Sequence, residues 1–176
     1  MSTSQTLLSM AAMMFLSTIL LGFYRLLAGT GDDISSGQDG ILATTISTSY
    51  MEVAHGLAFD TVTDSSDIAI NNVSVLTAPA SLGRDHVSED SLHNFDDFDD
   101  FHGFTADKEA PGTGRRYRTM FKVYYANATS VGQNSTSRTF LKRLDLKTWR
   151  IAPPATGGAQ LDTVKMSTVL GYFHFD

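Results

Sequence analysis

The segment with the clearest chemical potential is Asn94 to Phe104, NFDDFDDFHGF. Phenylalanines stand at 95, 98, 101 and 104, and Asp96, Asp97, Asp99 and Asp100 lie between them. Clustered carboxylates offer hard oxygen ligands, of which Ca²⁺ takes about six to eight. The four aspartates are therefore calcium candidates, although no frame supplies the sixth-position Gly and twelfth-position Glu of an EF-hand loop. The competing expectation is an edge loop that tucks its aromatics onto a sheet and leaves the aspartates solvated. No other cofactor is expected.

The remaining reactive residue types form no recognisable constellation. His55, His86, His93, His102 and His174 show neither HxxxH nor HExxH spacing, so a zinc site has no support. There is no nucleophile elbow, no GxGxxG and no phosphate-binding loop of the Walker type. Carboxylates are abundant, but abundance does not make a paired acid and base. The expectation is a protein that is not an enzyme. Three N-x-[ST] triplets begin at Asn72, Asn127 and Asn134, and they mark candidate glycosylation positions on an outer surface. The chain contains no cysteine, which excludes disulfides and thiolate metal sites.

The elements that must position these residues begin with an apolar run. Leu7 to Leu27 reads LLSMAAMMFLSTILLGFYRLL, and Arg25 is the only charged residue among the first 31. Crossing a hydrocarbon core takes about 20 apolar residues, so this run is a borderline spanning helix or a filament-core helix. The rest of the chain is too small to surround it. A secretory signal would place basic residues ahead of the run, and Met1 to Thr6 has none. The expectation is either a basic leader removed beforehand or an orientation set by other means.

Residues 1–58 are expected to form one N-terminal helical region, with an apolar half at 5–28, a glycine-rich break at 29–40 and an amphipathic half at 41–58. In the last part Ile41, Leu42, Thr45, Ile46, Ser49, Tyr50, Val53, Ala54 and Leu57 recur at helical spacing as one stripe. Gly29, Gly31, Gly37 and Gly40 each cost about 1 kcal/mol against Ala in a helix, enough to permit a kink or local melting.

Residues 59–176 read as a β-rich head. Asp67 to Leu76 suggests two short strands broken at Asn71-Asn72. Tyr117 to Tyr125 is the cleanest strand, with Tyr117, Thr119, Phe121, Val123 and Tyr125 on one face and Arg118 and Lys122 on the other. Asn127 to Ser137 reads as a polar loop. Arg138 to Ile151 reads as a strand of broken alternation ending at Pro153-Pro154, Ala155 to Gln160 as a turn, and Thr163 to Phe175 as a closing strand. The fold class is α+β, a long helix packed on an antiparallel head.

Charge is divided unevenly. Asp32 to Gly114 carries 16 acidic and two basic residues, whereas Arg115 to Asp176 carries ten basic and three acidic ones, for a net charge of −6. The two halves either neutralise each other within one head or present complementary faces between copies. Nucleic acid is not an expected partner, because the basic segment reads as alternating strands in an acidic protein.

STSQTLLSMAAMMFLSTILLGFYRLL, the helix end SYMEVAHGLAFD, and the strands YRTMFKVYYAN, TSRTFLKRLDL and TVKMSTVLGYFHF together resemble type IV pilins and the pseudopilins of type II secretion systems. The resemblance is one of architecture along the whole chain. Gln5 occupies the slot where those proteins carry a Glu that neutralises a neighbouring N-terminal amine. Their helix-bending Pro and C-terminal disulfide loop have no counterpart here.

The resemblance implies a structural subunit of an extracellular, pilus-like filament, held in the inner membrane before assembly and then polymerised with copies of itself. Leu7, Leu8, Ala11, Ala12, Phe15, Leu16, Ile19, Leu20 and Phe23 would form the assembly helix. Ser9, Ala11, Ala12, Ser17 and Gly22 would let helices approach closely. Gln5, Arg115, Arg116 and Arg118 would set subunit register. The implied setting is a bacterial cell surface, with pilus or secretion machinery as a further partner. The alternative is a monomeric, single-pass envelope protein whose head holds calcium or another ligand.

Overall fold

The computed structural model of the chain describes residues 3–64, 70–153 and 163–173. The chain divides into two compact units, Met1–Asp39 and Gly40–Asp176. Helix α1, Thr3–His55, supplies all the described residues of the first unit and opens the second.

In the first unit the composition explains the helix. Met, Leu and Ala are strong helix formers, and the interspersed hydroxyls bond to the helix itself. Ser9 donates to Thr6 O at 2.9 Å, Ser17 to Met13 O at 2.8 Å and Thr18 to Met14 O at 2.9 Å. These bonds let polar residues sit in apolar surroundings without unpaired donors. The expected glycine-rich break at 29–40 is instead helical throughout. A penalty of about 1 kcal/mol per glycine is opposed by cooperative propagation from well-formed helix on either side.

The second unit is an antiparallel sheet with the end of α1 laid against it. Strands β1 (Thr105–Ala110), β2 (Arg115–Asn127), β4 (Leu141–Ala152) and β5 (Val164–Gly171) pair in the order β1-β2-β4-β5, and β3 (Ser130–Asn134) pairs with the end of β2. The expected α+β architecture with an apolar helix and an antiparallel sheet is present. The inner row of β2 is the one the alternation predicts, since Tyr117, Thr119, Phe121, Val123 and Tyr125 are all buried. Opposite them, in register, stand Arg150, Thr148, Leu146, Leu144 and Lys142.

Several local expectations change. Residues 130–134, read as polar loop, form β3, whose side chains are all exposed. β1 is polar except for its buried Ala106 and Ala110, so period-2 hydrophobicity does not mark it. Ile70 to Leu76 is not extended strand; Val73–Val75 is a 3₁₀ turn capped by Asn72, whose side chain accepts from Ser74 N. Residues 67–69, 154–160 and 174–175 of the expected elements lie outside the described residues.

The stripe of α1 that meets the sheet overlaps the expected one at Leu42, Ile46, Tyr50, Ala54 and Leu57 and is shifted toward Ala43 and Ser47. Ala43, Ile46, Ser47, Tyr50 and Ala54 are buried, whereas Ile41, Thr45 and Val53 are exposed. Small residues at 43, 47 and 54 bring the helix backbone near the sheet, and Tyr50 fills the space between them. Its ring meets Phe121 edge-on at 5.1 Å. After Gly56 ends the helix, Ala58 bridges to Asp97 in parallel, which draws residues 58–60 beside the Asp/Phe segment.

Candidate functional site

The Asp/Phe segment uses its period of three to separate two environments. Phe95, Phe98 and Phe101 are buried in the main core, with Phe104 packed against it. Phe95 meets Phe101 at 5.2 Å and Phe104 at 5.0 Å, both edge-on, and Phe101 lies 5.3 Å from Phe121 of β2. The aromatics therefore do pack on the sheet.

The aspartates are not solvated as that packing was expected to leave them. Asp97, Asp99 and Asp100 are buried, in a segment whose residues 99–101 form a 3₁₀ turn. Their carboxylates accept from the tightly wound backbone. Asp100 Oδ2 accepts from the N–H groups of Asp96 (3.0 Å) and Asp97 (3.3 Å), and Asp97 Oδ1 accepts from that of Asp99 (2.8 Å). Thr61 donates its hydroxyl to Asp97 Oδ2 at 2.6 Å. Burial pushes the Asp100 carboxyl up to about 7, with Asp97 adding to the shift and the two backbone N–H groups opposing it.

Asp96, Asp97 and Asp100 bring carboxylate oxygens within 4.8 Å of one another, as do Asp85, Glu89 and Asp100. Three of the four calcium candidates thus converge. The fourth, Asp99, turns away to a different partner. Glu89 is a comparable local cap, accepting from Asp85 N at 2.9 Å and His86 N at 3.0 Å. The loop's own donors account for much of this carboxylate array.

Asp99 turns toward Lys142 of β4. The Lys142 ammonium is fully buried, hydrogen-bonds to Asp99 Oδ1, and reaches Asp60 Oδ2 at 2.9 Å and Phe59 O at 2.7 Å. It also lies 4.8 Å from the centre of the Phe59 ring and 5.6 Å from that of Tyr125. Asp60 is further fixed by Thr77, which donates its N–H to Oδ2 at 3.0 Å and its hydroxyl to Oδ1 at 3.1 Å. One ammonium thus faces two carboxyl groups. Burial pushes the Asp99 carboxyl up to about 8 against the pull of Lys142, with Asp97 adding to the rise. Burial, then Asp60 and Asp99, raise the Tyr125 phenol, which donates to Thr77 O at 2.7 Å.

Lys142 was not singled out by sequence reasoning. Strict period-2 counting along β4 places it in the inward row with Leu144 and Leu146, and a lysine in that row was the available signal.

The other expected site residues are spread over both units. Leu7, Leu8, Phe15, Leu16, Ile19, Leu20 and Phe23 are between 52% and 74% exposed, and Ala11, Ala12 and Gln5 are exposed as well. Arg118 reaches Asp107 of β1 with Nε at 2.7 Å and a second nitrogen at 2.8 Å, and Arg116 lies 3.7 Å from the same carboxylate. Part of the charge division is therefore neutralised inside one head. Arg115, at the start of β2, pairs in register with Ala110 of β1. Asn127 Oδ1 accepts from Thr129, and Asn134 Oδ1 accepts from Arg143 at 2.7 Å.

Among the described residues one helix, α1, is long and apolar enough to cross a membrane. No family model matches the chain, and no curated protein or solved structure shows significant similarity to it.

Proposed function

We propose that the protein is a structural subunit of an extracellular, pilus-like filament and polymerises through residues 5–28 of α1. The observation that carries this reading is the exposure of that helix. From Leu7 to Leu27 every large apolar side chain is at least half exposed within the chain, on all sides of the helix. A surface of this kind requires lipid, or other copies of the same helix. Covering each large side chain is worth about 1.5–3 kcal/mol. Ser9, Ala11, Ala12, Ser17 and Gly22 are the small residues that would let neighbouring helices close up.

In this reading the chain waits in the inner membrane and is transferred by pilus or secretion machinery into a head-to-tail helical array, which does not close on itself. The bacterial cell surface is the corresponding location, and the role is assembly, with no substrate turned over. Gln5, Arg115, Arg116 and Arg118 are assigned to register between copies. Pilin-likeness rests on the combination of an apolar helix, its continuation against a sheet, and the antiparallel order of that sheet.

The test is removal of detergent from purified full-length protein, followed by electron microscopy. The expected product is thin fibres composed of this chain. Monomers that instead enter lipid vesicles, with a melting temperature that rises on calcium addition, would favour the anchored, calcium-binding alternative. Reversing the charges of Arg115, Arg116 and Arg118 together should block polymerisation, and normal fibres from that variant would remove the register assignment.

A further inference from the structure

Lys142, Asp99 and Asp60 form an arrangement that the assembly reading does not use. The Lys142 and Asp60 side chains are fully buried, and that of Asp99 is 3% exposed. Both carboxyl groups touch the same Nζ, and aromatic rings of Phe59 and Tyr125 flank it. The three residues come from separate parts of the chain: the segment after α1, the Asp/Phe segment and β4.

We propose that Lys142 and Asp99 condense to an intramolecular amide, with Asp60 as the carboxylate that moves the proton. Proton transfer along the Lys142–Asp99 hydrogen bond converts ammonium and carboxylate into amine and carboxylic acid, while Thr77 N–H and hydroxyl continue to hold the Asp60 carboxylate. The Nζ lone pair then attacks Cγ of Asp99 and forms the C–N bond. Asp60 Oδ2, 2.9 Å from Nζ, takes the proton that nitrogen sheds. It passes that proton to the departing hydroxyl, the C–O bond breaks, and water leaves. Asp60 ends as the carboxylate it was at the start. The net change is ammonium plus carboxylate to amide plus water, with no oxidant, reductant or co-reactant.

The folded geometry favours the reaction. The groups are held in contact by the folded chain, so no translational freedom is lost in bringing them together. Asp60 suits the base role because Thr77 holds both of its oxygens in place. Asp99 suits the acceptor role because its segment is braced by three core phenylalanines. The resulting bond would tie residue 99 to residue 142 and join the Asp/Phe segment to the centre of the sheet.

The experiment is intact mass measurement of the purified full-length chain under denaturing conditions, with tryptic mapping. The expected mass is lower than that of the same polypeptide without the bond by one water. The expected digest contains peptide 85–108 joined to peptide 139–143, with cleavage blocked after Lys142. Lys142→Arg should abolish the loss, and Asp99→Asn should replace the loss of water by loss of ammonia. Asp60→Asn should yield the uncondensed mass from a soluble chain with an unchanged sheet signature in circular dichroism. Wild-type protein that gives separate peptides 85–108 and 139–142 would overturn the bond and leave an ordinary ion pair. Water loss that persists in Asp99→Asn would overturn the assignment of the acceptor, and full condensation in Asp60→Asn would overturn the base.

Discussion

Ser47 of α1 and Thr148 of β4 share a hydrogen bond of 2.8 Å with both residues buried, and Thr148 shares a second of 2.9 Å with Thr119 of β2. The three hydroxyls form a polar rivet through the contact between helix and sheet. Replacing Thr148 by Val keeps the shape but removes the shared centre. Ser47 retains its bond to Ala43 O at 2.8 Å, so the loss falls mainly on Thr119. The expected cost is about 1–3 kcal/mol, read as a lower denaturant midpoint with an unchanged slope. An unchanged midpoint would show that the rivet contributes no net stability.

That rivet also shows why the sequence was only partly legible. The apolar helix and β2 were readable because their hydrophobic periods are nearly pure. The inner row of β4 holds Lys142, Thr148 and Arg150 beside Leu144 and Leu146, so its alternation looked broken although the strand is regular. Likewise Ala43 and Ser47 carry little hydrophobic signal, yet close approach to the sheet selects them over Ile41 and Val53. Residue type alone puts the aspartates at 97, 99 and 100 in a solvated loop or on a cation. Only the winding of the loop, which aims backbone N–H groups at two of them, and the distant Lys142, which meets the third, explain their burial.

The Arg118–Asp107 pair gives a test of where charge is neutralised. The hydrogen bond from Arg118 holds the Asp107 carboxyl below its usual value, assisted by the charges of Arg118 and Arg116 and opposed by slight burial. A lowered acid contributes stability above its ordinary value of 3.8, and that contribution is lost as pH falls through the shifted value. Arg118→Asp should therefore lower the melting temperature at neutral pH, and adding Asp107→Arg should restore it. Failure of the double exchange to recover stability would contradict pairing within one head.

Phe98 of the Asp/Phe segment lies in the main core with no exposed surface. Phe98→Ala should leave a cavity and cost about 3–5 kcal/mol. Thermal unfolding followed by near-ultraviolet circular dichroism would show both the lower midpoint and the loosened aromatic packing. A cost comparable to that of an exposed position would mean that the Asp/Phe segment does not anchor in the core.

Asp100 predicts a pH dependence of the opposite sign to Asp107. Its folded value is about 7 and its ordinary value 3.8. Between these values the unfolded chain releases a proton that the folded chain keeps, so stability falls as pH rises from about 4 to about 7 and then levels. Asn at this position can still accept from the backbone N–H groups of residues 96 and 97 but does not titrate. Melting temperatures of Asp100→Asn should therefore vary less than those of the wild type across this window. Parallel curves for the two proteins would place the titration elsewhere.

Gly22 separates assembly from folding. A Cβ built there meets nothing within 4 Å, so a larger side chain creates no clash inside the chain. Leu is also a better helix former than Gly by about 0.8–1 kcal/mol. Gly22→Leu should consequently leave the melting of the head unchanged and extend no penalty to α1. If neighbouring helices close at their small residues, the same substitution holds them apart and fibre yield after detergent removal should drop sharply. Insertion into vesicles, which requires only an apolar surface, should be maintained. Normal fibres from Gly22→Leu would exclude close helix contact at this position, whereas loss of both fibres and vesicle insertion would point to a damaged helix instead.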